Sequence, residues 1–143
     1  MVDRRLSSNS KQNLFDSVQQ YLTEQPDSNV LDLTDQEIVD LTVIYDQLTR
    51  FNELKELNLS NNNFTRLPID MSKLHKVENL NLQNIEFSDF SQCVKSLATM
   101  PALRSLYINL TEEEQVDLIM KNLPNLEYLN GLPVDRDDVE DQN

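Results

Sequence analysis

Few side chains in this sequence could do chemistry, and their spacing argues against catalysis. The single histidine, His75, stands between Leu74 and Lys76, with no serine or cysteine placed to form a nucleophile pair with it. The single cysteine, Cys93, suits a small buried position, and one thiol can build neither an intrachain disulfide nor a thiolate metal cluster. Glu112, Glu113 and Glu114 form a carboxylate run, but they follow Thr111, which reads as a helix N-cap. Acids in a first helical turn are favoured by the helix dipole and need no metal. One glycine, Gly131, excludes a glycine-rich phosphate loop. The sequence therefore predicts no enzyme, no catalytic residue, no metal site and no cofactor. What remains is surface chemistry: a large set of asparagine and glutamine amides, and the tyrosines Tyr107 and Tyr128.

The elements that must position these groups are legible in the hydrophobic pattern. Leu54 to Leu67, LKELNLSNNNFTRL, places apolar residues at Leu54, Leu57, Leu59, Phe64 and Leu67 with an asparagine at Asn62. This is the leucine-rich repeat pattern, a short strand followed by a turn that the asparagine pins. The Leu-x-Leu or Leu-x-Ile pair recurs at Leu31/Leu33, Leu57/Leu59, Leu80/Leu82 and Leu106/Ile108, and a degenerate fifth copy begins at Leu129. The steps between copies are 26, 23, 26 and 23 residues. The predicted fold is α/β: a right-handed leucine-rich repeat solenoid of about five repeats. A parallel β-sheet forms its concave face, and helices and irregular turns form its convex face. Gln36, Ile85 and Thr111 stand where the turn asparagine belongs in repeats one, three and four.

Residues 1–10 carry no periodicity and are expected to be disordered. Residues 11–132 read as one leucine-rich repeat domain. It starts with a capping helix over 11–25, in which Leu14, Phe15, Val18, Tyr21 and Leu22 recur at helical spacing. The repeats occupy 28–132, and 133–143 form an acidic extension of the C-terminal cap and a tail. A repeat stack exposes core side chains at each end, so each end needs a cover with a polar outer face.

Strand alternation says which side chains are available on the concave face. One column is Val30, Glu56, Asn79, Ser105 and Tyr128. A second is Asp32, Asn58, Asn81, Tyr107 and Asn130, and a third is Thr34, Ser60, Gln83 and Asn109. The expected protein-binding residues are thus Asp32, Glu56, Asn58, Asn79, Asn81, Gln83, Ser105, Tyr107, Asn109, Tyr128 and Asn130. Amides supply donors and acceptors without net charge, and Tyr107 and Tyr128, expected to lie side by side, would supply the aromatic anchor.

Two stretches carry a family resemblance. LKELNLSNN resembles intracellular leucine-rich repeat proteins in general. LPNLEYLNGLPVDRDD, Leu123 to Asp138, is similar to the C-terminal cap of the class that includes the spliceosomal U2 A-prime subunit, the acidic nuclear phosphoproteins and the SDS-type phosphatase regulators. The resemblance implies that Leu123, Pro124, Leu126, Tyr128, Leu129, Gly131, Arg136 and Asp137 are structural residues of the cap. It also implies a protein that binds other proteins and has no active site of its own.

With 25 acidic and 12 basic side chains, the formal charge is -13, which disfavours direct nucleic-acid binding and anionic membranes and favours a partner with a basic surface or segment. No apolar run approaches the roughly 18 to 20 residues of a membrane span. The expected function is a non-catalytic adaptor that binds a protein partner through the concave sheet and adjoining loops. The alternatives are a regulatory or inhibitory subunit of an enzyme such as a phosphatase, and a protein component of an RNA-processing particle. A monomer, intracellular and cytoplasmic rather than nuclear, is the expected state.

Overall fold

The structure is a computed structural model and describes residues 11–134. The expectations placed on 1–10 and 135–143, including those for Arg136 and Asp137, lie outside the described residues. The chain runs through α1 (Lys11–Glu24), β1 (Val30–Asp32), α2 (Thr42–Leu48), β2 (Glu56–Asn58), β3 (Asn79–Leu82), α3 (Phe90–Leu97), β4 (Ser105–Ile108), α4 (Glu113–Asn122), β5 (Tyr128–Leu129) and β6 (Leu132–Pro133). The strands form one sheet in chain order. β1 to β5 are parallel, and β6 turns back antiparallel on β5. This is the α/β repeat solenoid.

Each repeat buries the same positions because a strand residue pair two apart must point the same way. Leu31, Leu57, Leu80 and Leu106 are in register across the sheet and are buried. Leu33, Leu59, Leu82 and Ile108 form the row beside them, also buried. Phe64 fills the second repeat, and its ring meets Phe87 edge-on at 6.4 Å. Outside the sheet, the return limbs add Ile44, Leu48, Met71, Leu74, Val94, Leu97 and Ile119 to one continuous core. The return of repeat two contains no helix, consistent with Pro68 near its start.

The helices show where the pattern alone misplaces a side chain. In α1, Leu14, Val18 and Leu22 are buried and cover the first repeat, whereas Phe15 is exposed. Positions 14, 18 and 22 make a stripe one residue wide, and Phe15 lies off that stripe. α1 is tied to α2 by Gln47, whose Nε2 donates to the Phe15 carbonyl and to Gln19 Oε1, each at 3.1 Å. α3 is capped by Asp89, whose carboxylate accepts from the Gln92 amide at 3.1 Å. The cap of α4 is Glu112 and not Thr111. Gln115 Oε1 reaches back to accept from the Thr111 amide at 2.7 Å and the Glu112 amide at 3.2 Å, so Thr111 sits one position before the cap. Only Ile119 of α4 is fully buried, with Val116 and Met120 half-exposed.

The turn asparagine explains the tightness of the coil. Asn62 is buried, and its Oδ1 accepts from the amides of Gln36 and Ile38 in the preceding repeat, both at 3.0 Å. Its Nδ2 donates to the carbonyls of Leu33 at 3.0 Å, Leu59 at 2.9 Å and Ser60 at 3.2 Å. One side chain therefore satisfies backbone groups of two turns that no strand partner reaches. In repeat three, Ile85 is buried at the asparagine position and adds to the core instead. There Asn84 takes over the stitching: its Nδ2 donates to Asn61 Oδ1 at 2.9 Å, and its amide donates to Asn109 Oδ1 at 3.2 Å. Asn61 and Asn84 both have positive φ, 59° and 60°, a conformation asparagine tolerates better than most residues.

Candidate functional site

The sheet face opposite the helices is open. Its first column is in register as the alternation predicts, Val30 beside Glu56, Asn79, Ser105 and Tyr128. Its second column runs Asp32, Asn58, Asn81 and Tyr107. These side chains are half-buried or exposed. Between them lies a shallow groove of about 210 Å³ that spans β1 to β4 and ends at Tyr107.

The amides of the second column are partly used by the fold. Asp32 Oδ1 accepts from the Thr34 amide, Asn58 Oδ1 from the Ser60 amide and Asn81 Oδ1 from the Gln83 amide, each at 3.0 Å. These are Asx turns that end each strand. A partner thus meets Asn58 and Asn81 mainly through their Nδ2 donors, and Asp32 through its second carboxylate oxygen. Two-residue spacing of Asx and Ser/Thr in DLT and NLS is the signal from which these turns could have been read.

The end of the sheet departs from expectation. Asn130 does not extend the second column: β5 stops at Leu129, Asn130 has φ 52°, and its Oδ1 accepts from the Ile108 amide at 2.8 Å. Tyr107 and Tyr128 are not partners in register, because Tyr107 pairs with Asn81 and Tyr128 with Ser105. Tyr107 instead lies over Gly131, where an added Cβ would stand 3.4 Å from its hydroxyl oxygen. Gly131, at φ +84°, makes the tight turn into β6 and leaves room for that ring. Gln83 and Asn109 lie just past the strand ends, both exposed, and Ser60 of the third column is buried.

Along the opposite ends of the strands, Arg104 bridges neighbouring repeats. Its guanidinium is 2.6 Å from Glu127 and 3.8 Å from Glu78. The hydrogen bond and charge of Arg104 hold the Glu127 carboxyl below its ordinary pKa. Lys76 pairs with Glu53 at 3.0 Å across the preceding repeats. Both pairs are exposed, so they trim register and contribute little to stability.

The residues that could do chemistry lie apart from this face. His75 is exposed, its Nδ1 3.1 Å from the Lys73 carbonyl oxygen. Cys93 is fully buried, and desolvation pushes its thiol up to about 12, far from a reactive thiolate. Among the described residues, no group of three or more His, Cys, Asp and Glu could hold a metal ion, and no helix is long and apolar enough to cross a membrane.

No family model matches the sequence, and no curated protein matches it. Solved structures do. A chain of the Drosophila melanogaster SNF/U2A' complex superposes with a TM-score of 0.68 at 17% identity, over 81% of this chain and 67% of that one. The shared fold is the leucine-rich repeat solenoid. The Mex67:Mtr2 subunits of Chaetomium match with a TM-score of 0.47 at 18% identity, over 92% of this chain and 82% of that one. Internalin C2 of Listeria monocytogenes matches with a TM-score of 0.44 at 18% identity, over 85% and 54%. The likeness to a chain of the SNF/U2A' complex overturns one expectation, that of a protein cytoplasmic rather than nuclear.

Proposed function

We propose that this protein is a non-catalytic binding subunit that holds a protein partner on its concave sheet, and that its setting is an RNA-processing particle. The observation that carries the reading is the uncovered sheet face, with its groove between β1 and β4 ending at Tyr107. Parallel sheets are normally covered on both faces, and here helices cover only one. The polar side chains Glu56, Asn58, Asn79, Asn81 and Ser105 keep the open face soluble while offering hydrogen bonds, and Tyr107 and Tyr128 add apolar area. Gln83, Asn109 and Asn130 belong to the rim of this surface.

The particle setting rests on the structural likeness to a chain of the SNF/U2A' complex, in which two proteins are assembled. The C-terminal closure agrees with it: Leu123 and Leu126 are buried, and the Asn130-Gly131 turn folds β6 back on β5. We read this as a cap of the U2A' kind. Residues 11–132 would act as one domain, with α1 covering the first repeat.

The test is affinity capture from native extract with the intact chain and with the Tyr107→Ala, Tyr128→Ala double variant. The reading expects a protein partner that is lost or reduced with the variant while circular dichroism is unchanged, and RNA that co-purifies only when that protein is present. Undiminished capture by the double variant would remove the concave face from the account. RNA bound in the absence of any protein would remove the role as a protein-binding subunit.

A further inference from the structure

The groove on the sheet has a polarity that its shape alone does not require. Its N-terminal half is lined by Val30 and Asp32 of β1 and Glu56 and Asn58 of β2, and its far end by Asn81 and Tyr107. Its two ionisable acids are Asp32 and Glu56, and among the described residues no lysine, arginine or histidine lines it. Register places them diagonally on adjacent strands, two residues apart along the chain direction, since Val30 stands beside Glu56 and Asp32 beside Asn58. With strands about 4.8 Å apart and a two-residue offset of about 6.6 Å, their Cα atoms are roughly 8 Å apart on one face, so both carboxylates can reach one cationic group seated between them. Asp32 is oriented for this by the Asx turn, which occupies Oδ1 and leaves Oδ2. Two basic side chains of the later repeats are committed elsewhere: Lys76 is engaged by Glu53, and Arg104 by Glu127 and Glu78.

We propose that the occupant of this groove is a basic segment of a partner protein, lying across the strands, with an arginine or lysine seated between Asp32 and Glu56 and an apolar or aromatic residue on Tyr107. Asp32 and Tyr107 stand at opposite ends of one row, Asp32, Asn58, Asn81, Tyr107. Three strand spacings separate them, roughly 14 Å, too far for one side chain and suited to two separated by about two or three turns of a helix or four or five residues of extended chain. Between the two anchors, the Nδ2 groups of Asn58 and Asn81 offer donors to carbonyl or side-chain oxygens. The net charge of -13 draws such a segment in from solution, and the local pair of acids gives it a fixed place. This rests on the concave face being the binding face, and the test separates the two claims.

Short peptides of random sequence are displayed and selected on the full chain, and each selected peptide is then titrated against the Asp32→Asn, Glu56→Gln double variant and, separately, against Tyr107→Ala. Both sets keep the fold-forming contacts, since an asparagine side chain at position 32 can still accept the turn hydrogen bond, and circular dichroism with urea unfolding verifies it. The expected result is enrichment of arginine and lysine, about tenfold weaker binding to the acid-neutralised variant in low salt, and loss of that difference in high salt. The single variant Glu56→Lys should turn the selection away from basic peptides. Peptides that lose affinity for Tyr107→Ala but show no basic enrichment, and bind the acid-neutralised variant unchanged, overturn the basic-segment proposal and leave the concave reading standing. Peptides indifferent to all three variants overturn both, and selection of no peptide overturns the proposal.

Discussion

Replacing Asn62 by alanine tests the physical account of the coil most sharply. Asn62 Oδ1 is the acceptor for two buried amides, Gln36 and Ile38, and its Nδ2 serves three carbonyls. Alanine leaves both amides without that acceptor. A buried donor left unmet costs about 1–3 kcal/mol, so the two together cost about 2–6 kcal/mol, and the carbonyls add to the upper half of that range. Against a total stability of about 5–15 kcal/mol for a domain of this size, the middle of that range is about 40% of the total. In urea, with a slope of about 2 kcal/mol per molar, the unfolding midpoint should fall by roughly 1–3 M with the slope unchanged. Asn63→Ala is the control: Asn63 is exposed and its backbone amide, not its side chain, makes the bond to the Ile38 carbonyl at 2.9 Å. It should shift the midpoint by less than about 0.3 M. A loss below about 1 kcal/mol for Asn62→Ala would refute the pinning role, because a turn that repacks so cheaply was never held by that side chain. Asn62→Asp sharpens the point. A carboxylate there would face three carbonyl oxygens, so its pKa would rise, and stability should be lower at neutral pH than at acid pH where the carboxyl is protonated.

Three further outcomes follow from the geometry. Gly131→Ala places a Cβ at φ +84° and 3.4 Å from the Tyr107 hydroxyl oxygen, which should cost about 1–2 kcal/mol in thermal or urea unfolding and shift the Tyr107 environment in its fluorescence; an unchanged midpoint would mean that the turn is not strained by a side chain. Cys93 should resist alkylation at mildly alkaline pH in the native state and react as urea unfolds the chain, followed by mass; because burial raises its thiol from an ordinary 9.0 to about 12, the stability it permits is intact below the unfolded value and declines as pH climbs through that window. Rapid native-state labelling would contradict the burial. The Glu127 carboxyl is depressed by Arg104, so its stabilising contribution is present above the ordinary carboxylate pKa and fades as pH falls through the folded value. Arg104→Gln should flatten that acid-side loss and raise the Glu127 pKa seen by NMR titration, and an unchanged titration would remove the ion pair from solution.

Much of this molecule is legible in its hydrophobic periodicity. The spacing of Leu31, Leu57, Leu80 and Leu106 implies a repeat stack, and alternation implies the columns Val30-Glu56-Asn79-Ser105-Tyr128 and Asp32-Asn58-Asn81-Tyr107-Asn130, because side-chain direction along a strand has a strict period of two; only Asn130 leaves its column, because β5 ends at Leu129. Phe15 shares the helical spacing yet stays exposed, because a helical stripe does not say how wide the covering contact is. Thr111 gives way to Glu112 as the cap because Glu112 with Gln115 makes a capping pair one residue later, and a cap is chosen by which backbone amides need an acceptor.

Sequence by itself therefore determined the periodic part: which residues are core, which face is open and what charge it carries. These depend on local periodicity and composition, which a repeat writes several times over. Tertiary structure alone decided the aperiodic part. That Asn62 serves the turn before it, that Asn84 and Asn109 take over beside Ile85, that Asn130 turns inward to Ile108 and that Tyr107 rests on Gly131 are all pairings between residues 22 to 29 positions apart or across a turn of positive φ. Such pairings depend on how successive coils are stacked, and only when the coils are in place do the surplus donors, the second carboxylate oxygen of Asp32 and the shape of the groove come into being.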